Sequence, residues 1–405
     1  MMKALICILI MTQGLIALSQ SMMPIEQDTS VGVVGHEIYI SSMADYQSTS
    51  VGKDITKSFL FGGFINQEMK ESSSSKHDEI NRFGVDVNGD IEYRNHKVNL
   101  FKDSLSGMII KAGMYTFSSA MYSKDLFDLA FFGNEMFIGD TANLSGSEFN
   151  SMTFQKIGFG WLDKKSKSSV CLNLVGLNSY ISGSFQDTYL YQSQAIDSMS
   201  LELFGSSKRA FGESYFKGFG AAVDLDYRFK MKKTEKEHIY FQLMIRNLGF
   251  AYIPTTETYN ANGLVSYSNY EISELINSET IFNNAEETLS DLADTVSNNN
   301  TMILLPAMFQ FTKLIDCNSS KKIQGFFGFR SYLNKAYIPM LFGGLDYKPK
   351  KWCNLGVQAS YGGFSQLRWG MYTSFSFPHF TLGIASENLF NKRGESITLK
   401  LSCAL

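Results

Sequence analysis

Proline and long apolar runs are both scarce in this chain of 405 residues. There are only 6 prolines, and beyond residue 20 no stretch approaches the roughly 18 uninterrupted apolar residues that a membrane-spanning helix requires. The formal net charge of -3 gives no support for nucleic-acid binding or for an acidic tail. The sequence therefore argues against a helical membrane protein and against a nucleic-acid-binding protein.

Residues that carry catalytic or metal chemistry are few and scattered. The 5 histidines do not group with serine and acidic residues, and the cysteines have neither the paired spacing of a zinc site nor a CxxC motif. We expect no enzyme activity, no metal site and no cofactor.

The N-terminus has the features of a secretory signal peptide. Lys3 precedes an apolar run from Ala4 to Ile10, and Ala17-Leu18-Ser19 is a small-residue cleavage site. We predict that residues 1–19 are removed near Ser19, so that the mature chain leaves the cytoplasm. A buried N-terminal helix is the alternative.

Aromatic residues and glycine are abundant, at 14% of the chain and 33 residues respectively. Together with the few prolines, they favour long strands joined by short turns. Apolar residues alternate with polar ones and glycine in stretch after stretch, as in GVQASYGGFSQLRWGMYTSFSF at 356–377. Such alternation gives each strand one apolar and one polar face.

The alternation predicts about fourteen strands, most of them 10 to 16 residues long. They are expected near 57–68, 81–94, 105–118, 150–162, 168–181, 214–231, 237–252, 302–315, 322–333, 336–348, 353–362, 366–377, 379–389 and 394–403. Tilted strands of this length cross a bilayer. The fold class is therefore all-β, a single transmembrane antiparallel β-barrel spanning 57–405, with outer-membrane lipid against its apolar face.

The loops agree with this interpretation. If the last strand ends in the periplasm, short connections such as 163–167 and 349–351 collect at one rim. Most long ones, such as 119–149 and 253–301, collect at the other, as in bacterial outer-membrane barrels. A secreted β-sandwich is the soluble alternative, and it predicts strands of about five or six residues.

Residues 20–56 precede the first predicted strand and are longer than a strand needs. We expect a plug inside the barrel or a periplasmic segment, with an additional strand fragment as the alternative.

Two stretches carry a family resemblance. They are SKDLFDLAFFGNEMFIGDTANLSGSEFN at 123–150 and the region 355–391, which contains Ser386-Glu387-Asn388-Leu389 after an apolar strand. The chain resembles an uncharacterised family of Gram-negative outer-membrane barrels, similar to the long-chain fatty-acid transporter superfamily and its members associated with type IX secretion. The resemblance implies a fourteen-strand barrel with an N-terminal segment tucked toward the lumen. It implies no activity that can be transferred residue by residue.

Charged residues alternate with the apolar ones, which predicts that they face the lumen. The candidates are Asp86, Asp90, Glu92, Asp224, Asp226, Arg228, Arg246, Arg330, Arg368 and Glu387, with Phe342 as an apolar neighbour. Because both signs occur, mutual pairing across the lumen and a selective charged constriction are both open interpretations. Inward aromatic residues indicate a lumen that is filled or suited to an amphipathic ligand.

Residues 123–132 are predicted to form a short helix in an outer loop, with Ser123 as its N-cap. Its apolar side includes Leu126, Phe127, Leu129 and Phe131. This helix would either line an entry site for a lipid-like molecule or cap the barrel mouth.

Two further positions lie at the predicted rims. His77 and Asp78 fall in an outer loop, where we expect a solvated pair. Cys317 and Cys353 fall in neighbouring periplasmic turns and are candidates for a disulfide, with free buried thiols as the alternative.

Two functions fit these features. The first is passage or uptake of a hydrophobic or amphipathic small molecule through the outer membrane. The second is a non-enzymatic scaffold or partner of secretion-machine proteins. A lumen without an apolar pocket would count against the first function.

Overall fold

The computed structural model describes residue 24 and residues 35–100, 105–232, 238–268, 295–316 and 319–404. In this part of the chain, eighteen strands form one continuous sheet. The strands are β1 His36–Ser48, β2 Ile80–Asn95, β3 Ser106–Ser123, β4 Thr141–Asn143, β5 Glu148–Asp163, β6 Ser169–Phe185, β7 Tyr189–Gln192, β8 Ser198–Ala210, β9 Gly218–Lys232, β10 His238–Ser268, β11 Thr295–Leu304, β12 Met308–Lys313, β13 Ile323–Tyr332, β14 Ile338–Lys350, β15 Cys353–Gly363, β16 Leu367–Phe377, β17 Phe380–Ser386 and β18 Gly394–Ala404.

Fourteen of these strands pair antiparallel in a closed ring, which confirms the predicted barrel. The ring runs β1, β2, β3, β5, β6, β9, β10 and then β12 through β18, and β18 pairs with β1. Closure satisfies the backbone groups of both edges, which hydrocarbon cannot do. No helix in the described residues is long and apolar enough to cross a membrane.

The N-terminal segment differs from the prediction. His36–Ser48 does not form a plug or a periplasmic segment. It is the strand that closes the ring, with Ile40 opposite Leu401 on one side and Ile91 on the other. The expected strand near 57–68 is wrong as well, because helices α1 Lys53–Phe61 and α2 Gln67–Ser74 occupy that region.

The other thirteen predicted strands are present, with one change. The run at 302–315 divides into the end of β11 and β12, separated by Leu305-Pro306-Ala307. Proline has no N–H for a strand ladder, so the pairing is interrupted there. The Leu305 N–H instead donates to the Gly249 carbonyl at 3.0 Å.

Side-chain exposure separates the two faces of the wall. In β15 and β16 the outward side chains Val357 and Trp369 are 49% and 54% exposed. Their inward neighbours Ser360 and Arg368 are 2% and 0% exposed. The bilayer therefore covers the apolar face, as the alternation predicts.

A row of aromatic rings lies on this face. Phe229, Phe241, Phe311 and Phe329 form a row across β9, β10, β12 and β13, with neighbouring ring centroids 5.4 to 6.2 Å apart. Aromatic girdles at the interfaces are characteristic of outer-membrane barrels.

The outer rim carries the additional structure. Helix α3, Lys124–Phe132, and a 3-10 helix at Asn134–Phe137 join the short strands β4 and β7. We call α1, α2, α3, β4 and β7 together the outer cap.

A proline in β1 tests whether this strand closes the barrel. Ala44→Pro removes a ladder donor from a strand that is paired on both sides, so we expect little folded barrel. The measurement is the heat-dependent mobility shift of the purified protein in denaturing gels. Ala44→Val, which suits a strand, should fold normally. Normal folding of Ala44→Pro would contradict the role of β1 in closure.

Candidate functional site

Two strands share one position in the barrel wall between β6 and β10. The part of this position farther from the outer cap holds β9, where Phe219 lies between Gly176 and Tyr252. The part nearer to the outer cap holds β8, where Arg209 pairs with Ile181 and Glu257. The end of β8 and the start of β9 therefore meet within the wall. We call this place the wall interruption.

Both neighbouring strands are irregular at this level. β6 contains an additional residue, Asn178, relative to β5, since Thr153 pairs with Ser179 and Phe154 pairs with Leu177. The register of β10 shifts between Ile253 and Thr256. Such bulges bend a strand and end its regular pairing.

Residues 211–217 connect β8 to β9 and lie on the outer surface of the wall. The Phe211 N–H donates to the Thr255 carbonyl at 3.0 Å, and the Lys217 N–H donates to the Leu177 carbonyl at 2.7 Å. The ring of Phe216 lies over Gly176, where a Cβ atom would be 2.5 Å from the ring. Glycine at 176 is thus required for this contact.

A groove of about 690 Å³ lies beneath this connector on the lipid-facing surface. Its lining is mainly apolar and includes Ile157, Leu174, Phe216, Phe219 and Pro254. Leu174 and Phe219 are 71% and 63% exposed, so the groove is open toward the bilayer. We call it the lateral groove.

An apolar cluster lies on the inner side of the same wall. Leu177 and Ile253, which flank the wall interruption, are both fully buried and belong to this cluster. Phe154, Ile303 and Leu305 pack with them. The wall interruption is therefore apolar on both of its sides.

Side chains from opposite walls also meet inside the barrel. β2 and β13 lie seven strands apart around the ring, yet the Tyr332 hydroxyl donates to the Asp86 carboxylate. The ring centroids of Phe117 and Tyr332 are 5.2 Å apart. These contacts cross the lumen from one wall to the other.

One ion-pair network surrounds Asp224, which is 2% exposed. Its carboxylate lies 2.7 Å from Lys156 Nζ, 3.2 Å from Lys111 Nζ and 3.6 Å from Arg246 Nη1. The Asn247 N–H also donates to it at 2.9 Å. Asn247 has a φ of 55° in the bulge of β10 between Ile245 and Leu248, so Asp224 stabilises a strained part of the wall.

A second network joins β1, β13, β16 and the turn after β17. Arg330 donates to both carboxylate oxygens of Glu387 at 3.2 Å and to Gln310 at 2.9 Å. Arg368 Nη1 lies 3.5 Å from Asp45 Oδ2, and Arg368 Nη2 lies 3.9 Å from Glu387. These contacts span several strands.

The remaining predicted lumen residues also have partners inside the barrel. Arg228 pairs with Asp226 at 3.1 Å, and Asp90 lies 3.3 Å from Lys111. Glu92 pairs with Arg94 at 2.5 Å. Phe342 is buried in an apolar cluster with Phe326 and Tyr372 among its members. The geometry thus favours mutual pairing of the lumenal charges.

Sequence reasoning missed two members of these networks. Lys156 alternates with outward Gln155 and Ile157, so strand periodicity could have identified it. Asp45 lies in the segment predicted as a plug or periplasmic segment, for which alternation gives no lumenal assignment. Both side chains are buried and form ion pairs.

The predicted outer-loop helix is present as α3. Its N-cap Ser123 Oγ accepts a hydrogen bond from the Leu126 N–H at 3.1 Å, and Gly133 ends it with a φ of 80°. Leu126 and Leu129 pack against the buried cluster around Phe137 and Leu190. The ring centroids of Phe127 and Phe131 are 4.4 Å apart, and Leu126 also lines an apolar cavity with Phe149 and Phe185.

His77 is not the solvated residue that we expected. It is buried, and its ring centroid lies 4.1 Å from that of Phe127. His77 Nδ1 lies 2.8 Å from the Ser73 carbonyl oxygen, so it carries the proton, and Nε2 lies 3.3 Å from the Tyr122 hydroxyl. This ring therefore joins α2, α3 and β3.

The expected cysteine pair falls partly outside the described residues. Cys317 is among those not described, and Cys353 is a buried free thiol at the start of β15. Within the described ranges, no group of three or more His, Cys, Asp or Glu residues could hold a metal ion.

Removal of the Asp224 carboxylate should destabilise the barrel strongly. Asp224→Ala leaves Lys111 and Lys156 buried without their shared partner, and breaking such a network costs about 3–5 kcal/mol. The control is Lys335→Ala, which removes an exposed pair with Glu148 and should cost less than about 1 kcal/mol. Urea unfolding followed by tryptophan fluorescence measures both. Equal midpoints for the two variants would contradict the assignment.

The outer cap should loosen in mild acid. Burial is the main cause that lowers the pKa of His77, opposed by its hydrogen bond to Ser73 and by the charge of Asp128. The unfolded cap then binds a proton near pH 6.5 while the folded cap does not. The stabilisation is therefore present above that pH and is lost as the pH falls toward the lowered folded-state pKa.

The measurement for this prediction is protease cleavage of the cap between pH 8 and pH 5. Wild type should be cleaved faster at the lower pH, and His77→Phe should show little pH dependence. The same pH dependence in both proteins would rule out His77 as its cause.

The known structures that match this chain have low sequence identity to it and low TM-scores. A crystal structure of the Pseudomonas putida toluene transporter TodX has 8% identity and a TM-score of 0.37, with 96% of this chain and 94% of that chain covered. A TodX mutant described as a monoaromatic hydrocarbon channel has 9% identity and a TM-score of 0.39, with 96% of each chain covered. The translocator domain of the autotransporter NalP from Neisseria meningitidis has 6% identity and a TM-score of 0.27, with 92% and 89% covered. The barrel assignment rests on the strand pairing above and not on these scores.

Comparison of the sequence with protein-family models identifies a family. No curated protein matches the chain, whereas a family model matches residues 166–387, which is more than half of it. The matched region includes the wall interruption, both of its flanking strands and the Glu387 turn. This confirms the expectation of an uncharacterised family. The chain belongs to the family of unknown function DUF5723.

Proposed function

We propose that this outer-membrane barrel takes up an apolar or amphipathic small molecule through the wall interruption. The observation that carries the proposal is the arrangement of apolar surface there. The lateral groove lies on the lipid side, the inner apolar cluster lies on the lumen side, and Leu177 and Ile253 stand between them.

The lateral groove suits a ligand that partitions into the bilayer. Ligand sites are concave and mostly apolar, with a few polar groups that orient the ligand. Here Ile157, Leu174 and Phe219 supply the apolar surface, and Gln155 and Lys217 supply polar groups. An amphipathic molecule would place its chain in the groove and its polar end near Lys217.

Passage requires the connector 211–217 to move. At its ends, the backbone hydrogen bonds to Thr255 and Leu177 attach it to the wall, and Gly212 has a φ of 128° that suits a hinge. Tyr215 is 67% exposed, and Phe216 is 46% exposed. Few buried contacts hold this segment, so its displacement costs less than opening a regular strand pair.

The contacts across the lumen favour a second function, that of a non-enzymatic scaffold. The Asp86–Tyr332 contact and the ion-pair networks fill the interior without serving passage. The outer cap then offers a surface for secretion-machine or other partner proteins.

Filling the lateral groove tests uptake. Ala112→Trp places a large ring in the groove. We expect uptake of a radiolabelled medium-chain alcohol by a Gram-negative host producing the protein to fall roughly tenfold, as for a blocked apolar site. The matched control is Ala359→Trp, which adds the same side chain to the outward face of β15.

The control should retain wild-type uptake, with equal amounts of folded barrel in the outer membrane for all three proteins. Equal uptake by the two tryptophan variants would remove the groove from the proposal. Uptake by wild type no faster than by cells without the protein would favour the scaffold.

A further inference from the structure

Helix α1 lies against the outward face of the barrel wall, at the outer ends of β1 and β18. Tyr46 and Glu395 are opposite each other in this strand pair, and Glu395 alternates with outward Ile397. The Tyr46 hydroxyl donates to the Val51 carbonyl at 3.0 Å, directly before the helix. Ile55 of α1 is buried. The helix therefore covers the end of the wall from the side that faces the membrane.

Two lysines of α1 share one carboxylate of β18. Lys57 Nζ lies 2.6 Å from Glu395 Oε1, and Lys53 Nζ lies 3.6 Å from the same oxygen. The three side chains are 38% to 48% exposed. The Lys53 N–H donates to the Lys392 carbonyl at 2.8 Å, which brings the exposed Lys392 to the same place. We call Lys53, Lys57, Lys392 and Glu395 the basic rim cluster.

Positive charge is in excess in the two segments that form this cluster. Residues 53–57 and 392–395 contain three lysines and one arginine against one aspartate and one glutamate. Exposed ion pairs contribute little to stability, so Glu395 holds the two lysines only weakly. A phosphate group carries more charge than one carboxylate and can compete with Glu395 for them.

The lipid-facing band of the wall ends directly below the basic rim cluster. On β18 the outward side chains Leu399 and Ile397 are 38% and 55% exposed. Glu395 is the next outward residue toward the outer rim, about 7 Å from Ile397 along the strand. The lysines therefore lie at the height where apolar chains give way to lipid headgroups.

Exposed apolar side chains adjoin the cluster. Phe390, two residues before Lys392, is 76% exposed, and Leu389 is 44% exposed. The Leu389 N–H donates to the carbonyl of Trp369 at 2.9 Å, and the outward side chain of Trp369 is also exposed. Aromatic rings are favourable at a membrane interface, where they concentrate in outer-membrane barrels. Cations and apolar surface thus occur together at one height of the wall.

We propose that the basic rim cluster and Phe390 bind a phosphorylated lipid of the outer leaflet. The phosphate group lies between the lysines and displaces Glu395, since a lysine ammonium binds phosphate as a point charge. An acyl chain lies against Ile397 and Trp369. This surface is separate from the lateral groove, because β1 and β18 lie on the opposite side of the ring from β6 and β10. The proposal can therefore fail without affecting the proposed uptake.

Titration of the purified barrel in non-ionic detergent with diphosphoryl lipid A, followed by native mass spectrometry, tests the proposal. The double variant Lys53→Gln, Lys57→Gln should lose affinity roughly tenfold, as expected when two lysines near a lipid surface are neutralised. Glu395→Gln should bind more tightly than wild type, because it removes the carboxylate that competes with the phosphate. The matched control is Lys335→Gln, which removes an exposed lysine that pairs with Glu148 and should bind as wild type does.

Two further arms separate the phosphate from the acyl chain. Lipid A without its phosphates should bind equally weakly to wild type and to the double lysine variant. Phe390→Ser should weaken the binding of diphosphoryl lipid A, and inorganic phosphate at the same concentration should not displace it. Heat-dependent mobility confirms that each variant is folded.

Equal affinity of wild type and the double lysine variant for diphosphoryl lipid A would overturn the proposal, as would an equal loss in Lys335→Gln. A Glu395→Gln variant that binds no more tightly than wild type would contradict the competition. Displacement of the lipid by inorganic phosphate, or wild-type affinity in Phe390→Ser, would reduce the cluster to an ion site and would overturn its assignment to a lipid.

Discussion

Every backbone N–H and C=O group that lies in hydrocarbon must pair within the protein, and the whole molecule depends on this requirement. The fourteen-strand ring meets it only because β1 joins β2 to β18. The inner face of β1 carries Glu37, Asp45 and Gln47, all buried. Such a strand is stable because these groups find partners in the lumen, while its outer face needs only to be compatible with lipid.

The wall interruption satisfies the same requirement in a different way. β8 and β9 each pair with both β6 and β10, but at different heights. Asn178 and the shift after Ile253 absorb the mismatch as bulges. The backbone N–H groups of Phe211 and Lys217, at the two ends of the connector, are paired with carbonyls of β10 and β6. The wall between β6 and β10 is therefore irregular at one defined place, which is also the place with an apolar groove outside and an apolar cluster inside.

Local alternation in the sequence predicted most of the barrel, because lipid and lumen impose a period of two on every strand. It failed at the N-terminus, where Lys53–Phe61 and its neighbours are apolar enough to suggest a strand, whereas β1 is too polar. Lumenal residues such as Asp224 and Arg330 could be identified by period, but their partners could not. Lys156 and Glu387 are 68 and 57 residues away, and only the pairing of the strands between them brings them near. The wall interruption was equally hidden, because two strands in one position leave no local signal.

The distribution of charge explains why apolar and polar chemistry lie in different parts of this barrel. The lumenal ions are buried and mutually paired, so the interior offers an apolar molecule no favourable open path along the barrel axis. A buried pair is stable only while both partners stay, which makes the central networks costly to open. Displacing the connector between β8 and β9 breaks no buried ion pair of these networks. The aromatic and aliphatic contacts that are lost there can be replaced by contacts with a ligand. The proposed uptake of an apolar molecule therefore uses the wall between β6 and β10 and not the barrel axis.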